Sequence, residues 1–156
     1  MKGGKKVLGW RERVALPGIG VEALRAKVDT GARTSALNAH SIEPFEHDGG
    51  RWVRFKLRPD RRSAHELVCT VAVADTRTVK DSGGHAEERY IIRTDVRIGD
   101  HPETWPIEIS LANRTGMLFP MLLGRTAIRR RFAVDPARSF VAGRHREASE
   151  TRAAAT

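Results

Sequence analysis

The stretch AKVDTGARTSAL, residues 26–37, decides how the rest of the chain is interpreted. In and just before it, the apolar residues Leu24, Ala26 and Val28 alternate with charged side chains. Alternation with a period of two is typical of a half-buried strand. The pattern therefore predicts a strand that runs directly into Asp29.

Asp29, Thr30 and Gly31 form a short motif at the end of this strand, and it has two interpretations. Asp and Gly are favoured in any strand-ending turn. In an aspartic peptidase the carboxylate activates water, the threonine hydroxyl bonds to a partner loop, and glycine permits close backbone approach. Residues 32–37 continue with small and hydroxyl side chains, unlike a solvated loop, which favours the second interpretation. We predict catalytic roles for Asp29, Thr30 and Gly31.

This chemistry requires two carboxylates that share one proton, because two facing carboxylates cannot both ionise cheaply. The chain contains one Asp-Thr-Gly, and the nearest imitation is Asp75-Thr76-Arg77, in which Arg77 would crowd the site. We interpret this second triplet as a strand end. The second carboxylate is then expected from an identical subunit across a twofold axis, the commonest oligomer symmetry. The sequence predicts a homodimer.

A second element, Leu122-Leu123-Gly124-Arg125, lies between an apolar stretch and a predicted helix. Residues 117–123 are nearly all apolar and predict a buried strand. Residues 125–132 place apolar side chains on one side and arginines on the other, which indicates a short amphipathic helix. A buried strand capped by glycine explains the pattern equally well. In retropepsin-type folds an apolar pair followed by glycine packs beside the catalytic loop, and the order along this chain resembles that arrangement, which implies the same place for Leu123 and Gly124.

Short alternating stretches continue through most of the chain and predict a mainly β fold. Asp48-Gly49-Gly50 separates two such stretches and predicts a hairpin. Further strands are expected at residues 53–57, 67–73, 90–98 and 107–111. Many strands and one short helix predict a small closed or partly open β-barrel.

The polar segment at residues 78–88 is the candidate flap, a glycine-tipped hairpin that closes over an extended substrate and excludes water. Gly83 and Gly84 would form its tip, although an ordinary exposed hairpin fits the same residues. Ala32 and Arg33 follow the catalytic turn, and Arg33 either recognises an acidic substrate or forms a structural ion pair. The predicted substrate-binding residues are Ala32, Arg33, Gly83, Gly84, Leu123 and Gly124.

Length and composition indicate one globular domain. With 156 residues, 40% of them apolar and 30% charged, the chain can bury one modest core. The folded domain is predicted at residues 7–143, between disordered tails at residues 1–6 and 144–156. No apolar run is long enough to span a bilayer, and Cys69 has no second cysteine to pair with. A reducing, cytoplasmic location is expected.

The net charge is +9, from 28 basic and 19 acidic side chains. Such a charge suits nucleic acid, the ribosome or an acidic substrate, and it also follows simply from an arginine-rich surface. Aromatic residues are sparse, and the sequence lacks a helix-turn-helix, a zinc finger and a glycine-rich RNA-binding loop. A nucleic-acid function is therefore not predicted.

The segment His65-Glu66-Leu67-Val68-Cys69 is the nearest approach to a zinc-peptidase motif, with Cys69 where a second histidine belongs. It alternates like a strand, which would hold its first and fifth side chains too far apart for one ion. The six histidines are scattered, and the sequence has no Gly-x-x-x-x-Gly-Lys-Ser/Thr phosphate-binding loop. We predict neither a metal nor a cofactor.

Several stretches together carry a more specific resemblance. They are Gly9-Trp10-Arg11-Glu12, residues 26–37, Glu87-Glu88-Arg89, Trp105-Pro106-Ile107-Glu108 and Phe119-Pro120-Met121-Leu122-Leu123-Gly124-Arg125. They resemble a bacterial family of retropepsin-like aspartic endopeptidases, also labelled ATP-dependent zinc proteases. The resemblance implies a pepsin-like or retropepsin-like β-barrel, a homodimer and a catalytic Asp29. It also implies a link to ATP-grasp ligases that add glutamates to a ribosomal protein tail.

Three functions are open on the sequence. The leading one is a homodimeric aspartic endopeptidase that acts on an extended peptide or protein, which is acidic if Arg33 recognises the substrate. The second is a module without catalytic activity that binds an ATP-grasp ligase or a ribosomal protein. The third is a zinc-dependent peptidase, as the family label would have it, and the scattered histidines disfavour it.

Overall fold

Short strands make up most of the computed structural model, which describes residues 5–60, 65–80, 83–113 and 118–143. The strands are β1 (Lys6–Leu8), β2 (Arg11–Leu16), β3 (Val21–Asp29), β4 (Ser35–Asn38), β5 (His40–His47), β6 (Gly50–Leu57), β7 (Leu67–Lys80), β8 (Ala86–Ile98), β9 (Trp105–Ala112), β10 (Met121–Gly124) and β11 (Phe132–Val134). One turn of 3-10 helix spans Pro17–Ile19, and helix α1 spans Arg125–Ile128.

Six of these strands close into a barrel in the order β2-β3-β10-β4-β9-β8. The ring closes where β2 pairs with β8, with Val14 opposite Ile98. Strands β7, β6 and β5 extend the same sheet beyond β8. Closure pairs the backbone groups that an open sheet edge would leave exposed. The predicted mainly β fold, a closed barrel with one short helix, is confirmed.

The alternation that predicts the strands also fills the barrel. In β3, Leu24, Ala26 and Val28 are buried, whereas Arg25 and Lys27 are exposed. Full burial of a large apolar side chain contributes about 1.5–3 kcal/mol. In β6 the fully buried residues are Val53, Phe55 and Leu57. The strand that ends in Asp29 is therefore anchored in the core along one face.

The helix after β10 is shorter than its sequence predicts. Apolar periodicity predicts a helix over residues 125–132, but α1 ends at Ile128 and the chain turns at Arg130, whose φ is 71°. Phe132 then begins β11, which pairs in parallel with β1. The side chain of Phe132 is buried there. Phe132, which helical spacing assigns to the helix, therefore belongs to the small second sheet formed by β1 and β11.

The hairpin of β7 and β8 is longer than predicted. Polar composition predicts a hairpin tip or loop over residues 78–88, whereas the paired strands extend further, with β7 continuing to Lys80 and β8 beginning at Ala86. Thr78 pairs with Glu88 across the hairpin. An exposed two-stranded ribbon needs no apolar face to continue its backbone hydrogen bonds, so apolar periodicity does not reveal it.

The triplet Asp75-Thr76-Arg77 lies inside β7, not at a strand end as predicted. The register shifts between Val73 and Asp75, which marks a bulge. The Asp75 carboxylate accepts hydrogen bonds from the backbone N–H of Thr76 at 2.8 Å and from Nε of Arg77 at 3.2 Å. Arg77 also donates to Glu108 at 2.9 Å. This aspartate therefore belongs to an ion-pair network on the hairpin.

Strand β10 is shorter than the apolar run that predicts it. Residues 117–123 are apolar, but β10 begins at Met121, after Phe119 has packed edge-on against Trp10 at 5.9 Å between ring centroids. Position 117 lies outside the described residues, as do most of the predicted tails at residues 1–6 and 144–156. Strand β1 begins at Lys6. The described helices are all too short to cross a membrane.

Candidate active site

Asp29 is the last residue of β3 and begins a tight turn. The backbone N–H of Ala32 donates to the Asp29 carbonyl oxygen at 3.2 Å. The backbone N–H of Gly31 donates to the carboxylate oxygen Oδ1 of Asp29 at 3.1 Å. A Cβ at position 31 would lie 3.3 Å from that oxygen, so glycine leaves room for the carboxylate. Asp29 is partly exposed, so its carboxylate is oriented by a backbone amide and still accessible to water.

Strand β10 lies between β3 and β4, the two strands that the turn connects. It runs parallel to β3, with Gly124 opposite Asp29, and antiparallel to β4, with Leu122 opposite Ala36. A strand in this place contacts both ends of the loop at residues 30–34. The apolar element Leu122-Leu123-Gly124 therefore packs beside the Asp-Thr-Gly turn.

Gly124 packs directly under the return of the loop to β4. A Cβ at this position would lie 2.6 Å from the carbonyl carbon of Thr34 and 2.8 Å from the nitrogen of Ser35. No larger residue fits there without a backbone shift. The N–H of Gly124 donates to the buried Ser35 hydroxyl at 2.9 Å. Nothing in the sequence distinguishes Ser35 from the other small residues of its stretch, so its role emerges only in the fold.

The start of α1 holds the outer part of the same loop. The backbone N–H of Arg125 donates to the Ala32 carbonyl oxygen at 2.8 Å. Both the backbone N–H and the hydroxyl of Thr126 donate to the Arg33 carbonyl oxygen, at 3.2 and 2.7 Å. These bonds fix the loop backbone just after Asp-Thr-Gly.

The Arg125 side chain reaches the Asp-Thr-Gly turn itself. Its Nη1 lies 3.3 Å from the Gly31 carbonyl oxygen and 3.5 Å from the Thr30 carbonyl oxygen. Hydrogen bonds from a charged donor are stronger than those from a neutral one. The Leu-Gly-Arg element therefore contacts the turn through both its glycine and its arginine.

Trp10 and the buried residue Glu12 hold the strand that leads into Asp29 from the side opposite β10. The Trp10 carbonyl oxygen accepts the N–H of Val28 at 2.8 Å, and the Trp10 N–H donates to the Arg138 carbonyl oxygen at 2.7 Å. Glu12 is fully buried. Its carboxylate accepts the backbone N–H groups of Gly9 at 2.6 Å, Val141 at 2.9 Å and Ala142 at 3.1 Å. This carboxylate ties the C-terminal segment to the strand beside Asp29, a role that sequence reasoning missed.

The residues predicted for the site are mostly together. Thr30, Gly31 and Arg33 are exposed around the turn, and Ala32 is partly buried. Leu123 was a predicted substrate contact, but its side chain is fully buried in the barrel opposite Val28. Gly124, predicted in the same role, is buried beneath the loop. Both residues are buried in the single chain, and their contact with substrate stays a prediction.

The predicted flap residues lie on a separate element. Gly83 and Gly84 are exposed at the end of the β7–β8 hairpin, and Gly84 has a φ of 87°. Strands β7 and β8 pair with none of the strands that hold the turn, namely β3, β4 and β10. The glycines therefore stay candidates for substrate contact.

The zinc-like segment is built differently from a metal site. Glu66 bonds Nε2 of His40 at 2.6 Å and Nη2 of Arg58 at 3.3 Å. The His40 hydrogen bond holds the pKa of Glu66 below its ordinary value. Burial raises the pKa of the Cys69 thiol to about 11. Within the four described ranges, no three His, Cys, Asp or Glu side chains come together in a way that could hold a metal ion.

A family model described as RimB-like, the retropepsin-like aspartic endopeptidase RimB, matches residues 7–145. The chain belongs to the RimB-like family. The closed β-barrel agrees with the retropepsin-like fold that this description names. The match covers the whole of the predicted folded domain, and its description does not mention zinc.

Curated relatives carry a different kind of name. The chain is 40% identical over 148 residues to a protein of Shewanella halifaxensis named "Probable alpha-L-glutamate ligase", covering 94% of this chain and 32% of the relative. Proteins of the same name from Desulfotalea psychrophila and Parasynechococcus marenigrum are 41% and 40% identical, covering 85% and 89% of this chain. The chain spans about a third of the length of these relatives, 28% and 30% in the last two.

A solved structure shares the fold over its whole length. The protein Lpg0085 of Legionella pneumophila subsp. pneumophila str. Philadelphia 1, described as of unknown function, matches with a TM-score of 0.72 and 29% sequence identity. The match covers 89% of this chain and 99% of that one. The barrel described above is therefore similar to one seen in a crystal.

Proposed function

We propose that the chain is one subunit of a homodimeric aspartic endopeptidase, in which Asp29 from each copy supplies half of a catalytic pair. The observation that carries the proposal is the structural environment of Asp29. Its carboxylate accepts the Gly31 N–H, its strand pairs with β10 at Gly124, and it is still partly exposed. Such a carboxylate is oriented and accessible, as a group that activates water must be.

The proposed reaction uses two carboxylates in two protonation states. The ionised carboxylate takes a proton from the attacking water, and the protonated one donates a hydrogen bond to the carbonyl oxygen of the scissile peptide bond. The proton is then returned to the leaving nitrogen as the carbon–nitrogen bond breaks. Because the two groups titrate as a pair, the acid and base roles belong to the dimer.

The surroundings of Asp29 support the proposal of a second chain. Within the described residues, its carboxylate has one hydrogen-bond partner, the Gly31 amide. The other aspartate followed by threonine, Asp75, is engaged with Arg77 on the hairpin. Thr30 is exposed beside Asp29. A twofold axis near Thr30 would bring two Asp29 carboxylates face to face and let the threonines bond across the axis.

The proposed substrate is an extended peptide or protein segment with acidic residues. Arg33 is exposed next to the turn and forms no ion pair with any described residue. This favours the substrate role for Arg33 over the structural ion pair. The β7–β8 hairpin, with Gly83 and Gly84 at its tip, would close over the bound segment and exclude water.

Peptide hydrolysis tests the proposal directly. The wild-type protein is incubated with a degenerate peptide mixture that includes glutamate-rich members, and cleavage is followed by mass spectrometry. Asp29→Asn should remove cleavage while thermal unfolding and sedimentation stay unchanged. A chelator should leave the wild-type rate unchanged. Cleavage that survives Asp29→Asn, or that a chelator abolishes and zinc restores, contradicts the aspartic mechanism.

A second candidate rests on the relatives. Proteins named as glutamate ligases contain a segment 40% identical to this chain, which favours a role as a binding module for an ATP-grasp ligase. Direct titration of the chain with a purified ligase of this kind separates the two candidates. Ligase binding by a wild-type protein that cleaves no peptide would support the module, whereas cleavage that depends on Asp29 supports the peptidase.

A further inference from the structure

A basic cleft of about 500 Å³ lies beside the catalytic turn. Thr30 of the turn forms one side of it, and α1, the turn after α1 and strand β11 form the rest. Its lining residues are Lys5, Thr30, Arg125, Ile128, Arg129, Arg130, Phe132, Val134 and Pro136. Four of these are cations, and none carries a carboxylate. The cleft therefore concentrates positive charge next to the candidate active site.

The cations of the cleft are not neutralised within the described part of the chain. Lys5, Arg129 and Arg130 take part in none of the ion pairs found among those residues. Arg125 donates to carbonyl oxygens of the turn, which carry no net charge. An apolar wall that includes Ile128 and Phe132 adjoins these groups. Charge beside an apolar wall is screened less than charge in open water.

Arg130 adopts a backbone conformation that is unfavourable for a residue other than glycine. Its φ of 71° lies in the left-handed region that glycine adopts without strain and most other residues avoid. An arginine here places a cation at the cleft despite an unfavourable backbone conformation. The position thus offers a test variant, because glycine would relieve the strain and remove the charge together.

We propose that this cleft binds a multivalent oxyanion of the phosphate type, and that its binding favours the dimer. Guanidinium groups present paired donors that match phosphate oxygens, and Arg125, Arg129 and Arg130 supply three of them. In the proposed dimer Thr30 lies at the twofold axis, so the two clefts that it borders approach each other. Like charges then repel, and a bound oxyanion in each cleft offsets the repulsion. This second part rests on the proposed function.

The position of the cleft favours an oxyanion over an acidic substrate. Neither Asp29 nor any residue of the β7–β8 hairpin lines it. A peptide held in extended form beneath the hairpin would therefore not fill it. Binding of an acidic peptide in the cleft, in place of an oxyanion, would contradict the proposal.

Titration calorimetry with inorganic pyrophosphate, at constant ionic strength in chloride, tests the site. The wild-type protein should bind pyrophosphate, and the double variant Arg129→Gln/Arg130→Gly should bind it at least about tenfold more weakly. The matched control is Arg51→Gln, which removes an exposed arginine at the start of β6 and should leave binding unchanged. Thermal unfolding verifies that the double variant folds, as the left-handed φ at position 130 predicts.

Two results would overturn the site. One is equal pyrophosphate binding by the wild type and the double variant. The other is a glutamate-rich peptide that binds in the cleft, as judged by its loss in the double variant, while pyrophosphate does not bind. Pyrophosphate binding that is weaker in the double variant than in the wild type supports the site.

Sedimentation velocity tests the link to the dimer. Pyrophosphate should raise the dimer fraction of the wild type and have no such effect on the double variant. If the wild type binds pyrophosphate but is monomeric under all conditions, the oxyanion site stands and the proposed dimeric peptidase fails. If the wild type dimerises and cleaves peptide but its dimer fraction does not respond to pyrophosphate, the peptidase stands and the proposed link between oxyanion binding and the dimer fails.

Discussion

The backbone N–H of Gly124 donates to the hydroxyl oxygen of Ser35 at 2.9 Å, and both residues are buried. The bond joins β10 to the first residue of β4. Since Gly124 also pairs with Asp29 on its other side, one residue fixes the distance between β3 and β4, the two strands that the turn after Asp29 connects. Neither partner belongs to the Asp-Thr-Gly motif.

Ser35→Ala should destabilise the fold by about 2 kcal/mol, because the buried Gly124 N–H would lose its acceptor. Urea unfolding of the wild type and the variant measures the change. The control is Ser110→Ala, a half-buried serine on β9 that should shift stability by less than about 0.5 kcal/mol. Equal effects of the two substitutions would show that the Gly124–Ser35 bond has no special role.

Gly124→Ala should be more severe. Its Cβ would lie 2.6 Å from the Thr34 carbonyl carbon, so the loop or β10 must move, at a cost of about 2–3 kcal/mol. Gly50→Ala is the matched control, since the nearest atom to a Cβ there is the His47 carbonyl oxygen at 3.8 Å. Differential scanning calorimetry compares the two. A Gly124→Ala protein as stable as Gly50→Ala would contradict the packing described here.

The strands next to the core were predictable from the sequence. In β3 the alternation of Leu24, Ala26 and Val28 with charged residues reports directly which face is buried, and the structure confirms it. The Asp-Thr-Gly turn and the Leu-Gly-Arg element were also visible as patterns. Their contact required the topology, because β10 meets β3 across roughly a hundred residues of intervening chain.

Contacts through backbone atoms were beyond sequence reasoning. Glu12 looks like an ordinary charged residue of an alternating strand, yet it is fully buried and binds three backbone amides. The extension of β7 and β8 into a polar ribbon depends on a hydrogen-bond ladder that no side-chain pattern marks. Helix α1 ends where Arg129 leaves the helical conformation, with ψ at 144°, and composition does not reveal this point.

His101 should make stability fall with falling pH. Burial, and then the nearby Lys6, lower its pKa in the folded chain below the ordinary value of 6.5. The unfolded chain therefore binds a proton more readily as pH falls through about 6.5, and unfolding is favoured. His101→Gln should reduce the loss of stability between pH 7.5 and pH 5.5 in urea unfolding. An identical pH dependence in the variant would contradict this account.

Cys69 should react slowly with alkylating reagents. The thiol is buried, its pKa is raised to about 11 by burial, and it contacts the Ile19 carbonyl oxygen at 3.6 Å. At pH 8 the folded protein should react with iodoacetamide on the order of 100-fold more slowly than the protein in concentrated urea. Mass spectrometry follows the modification. Similar rates in the two states would show that the sheet extension beyond the barrel opens readily around β7.

The most direct test of the central claim mixes wild-type and Asp29→Asn chains at constant total concentration, after subunit exchange, and measures the initial rate of peptide cleavage. If each active site needs Asp29 from both copies, the rate follows the square of the wild-type fraction, because mixed dimers are inactive. An equal mixture should then retain about a quarter of the wild-type rate. A rate of about half, or cleavage by Asp29→Asn alone, would contradict a catalytic pair shared between two chains.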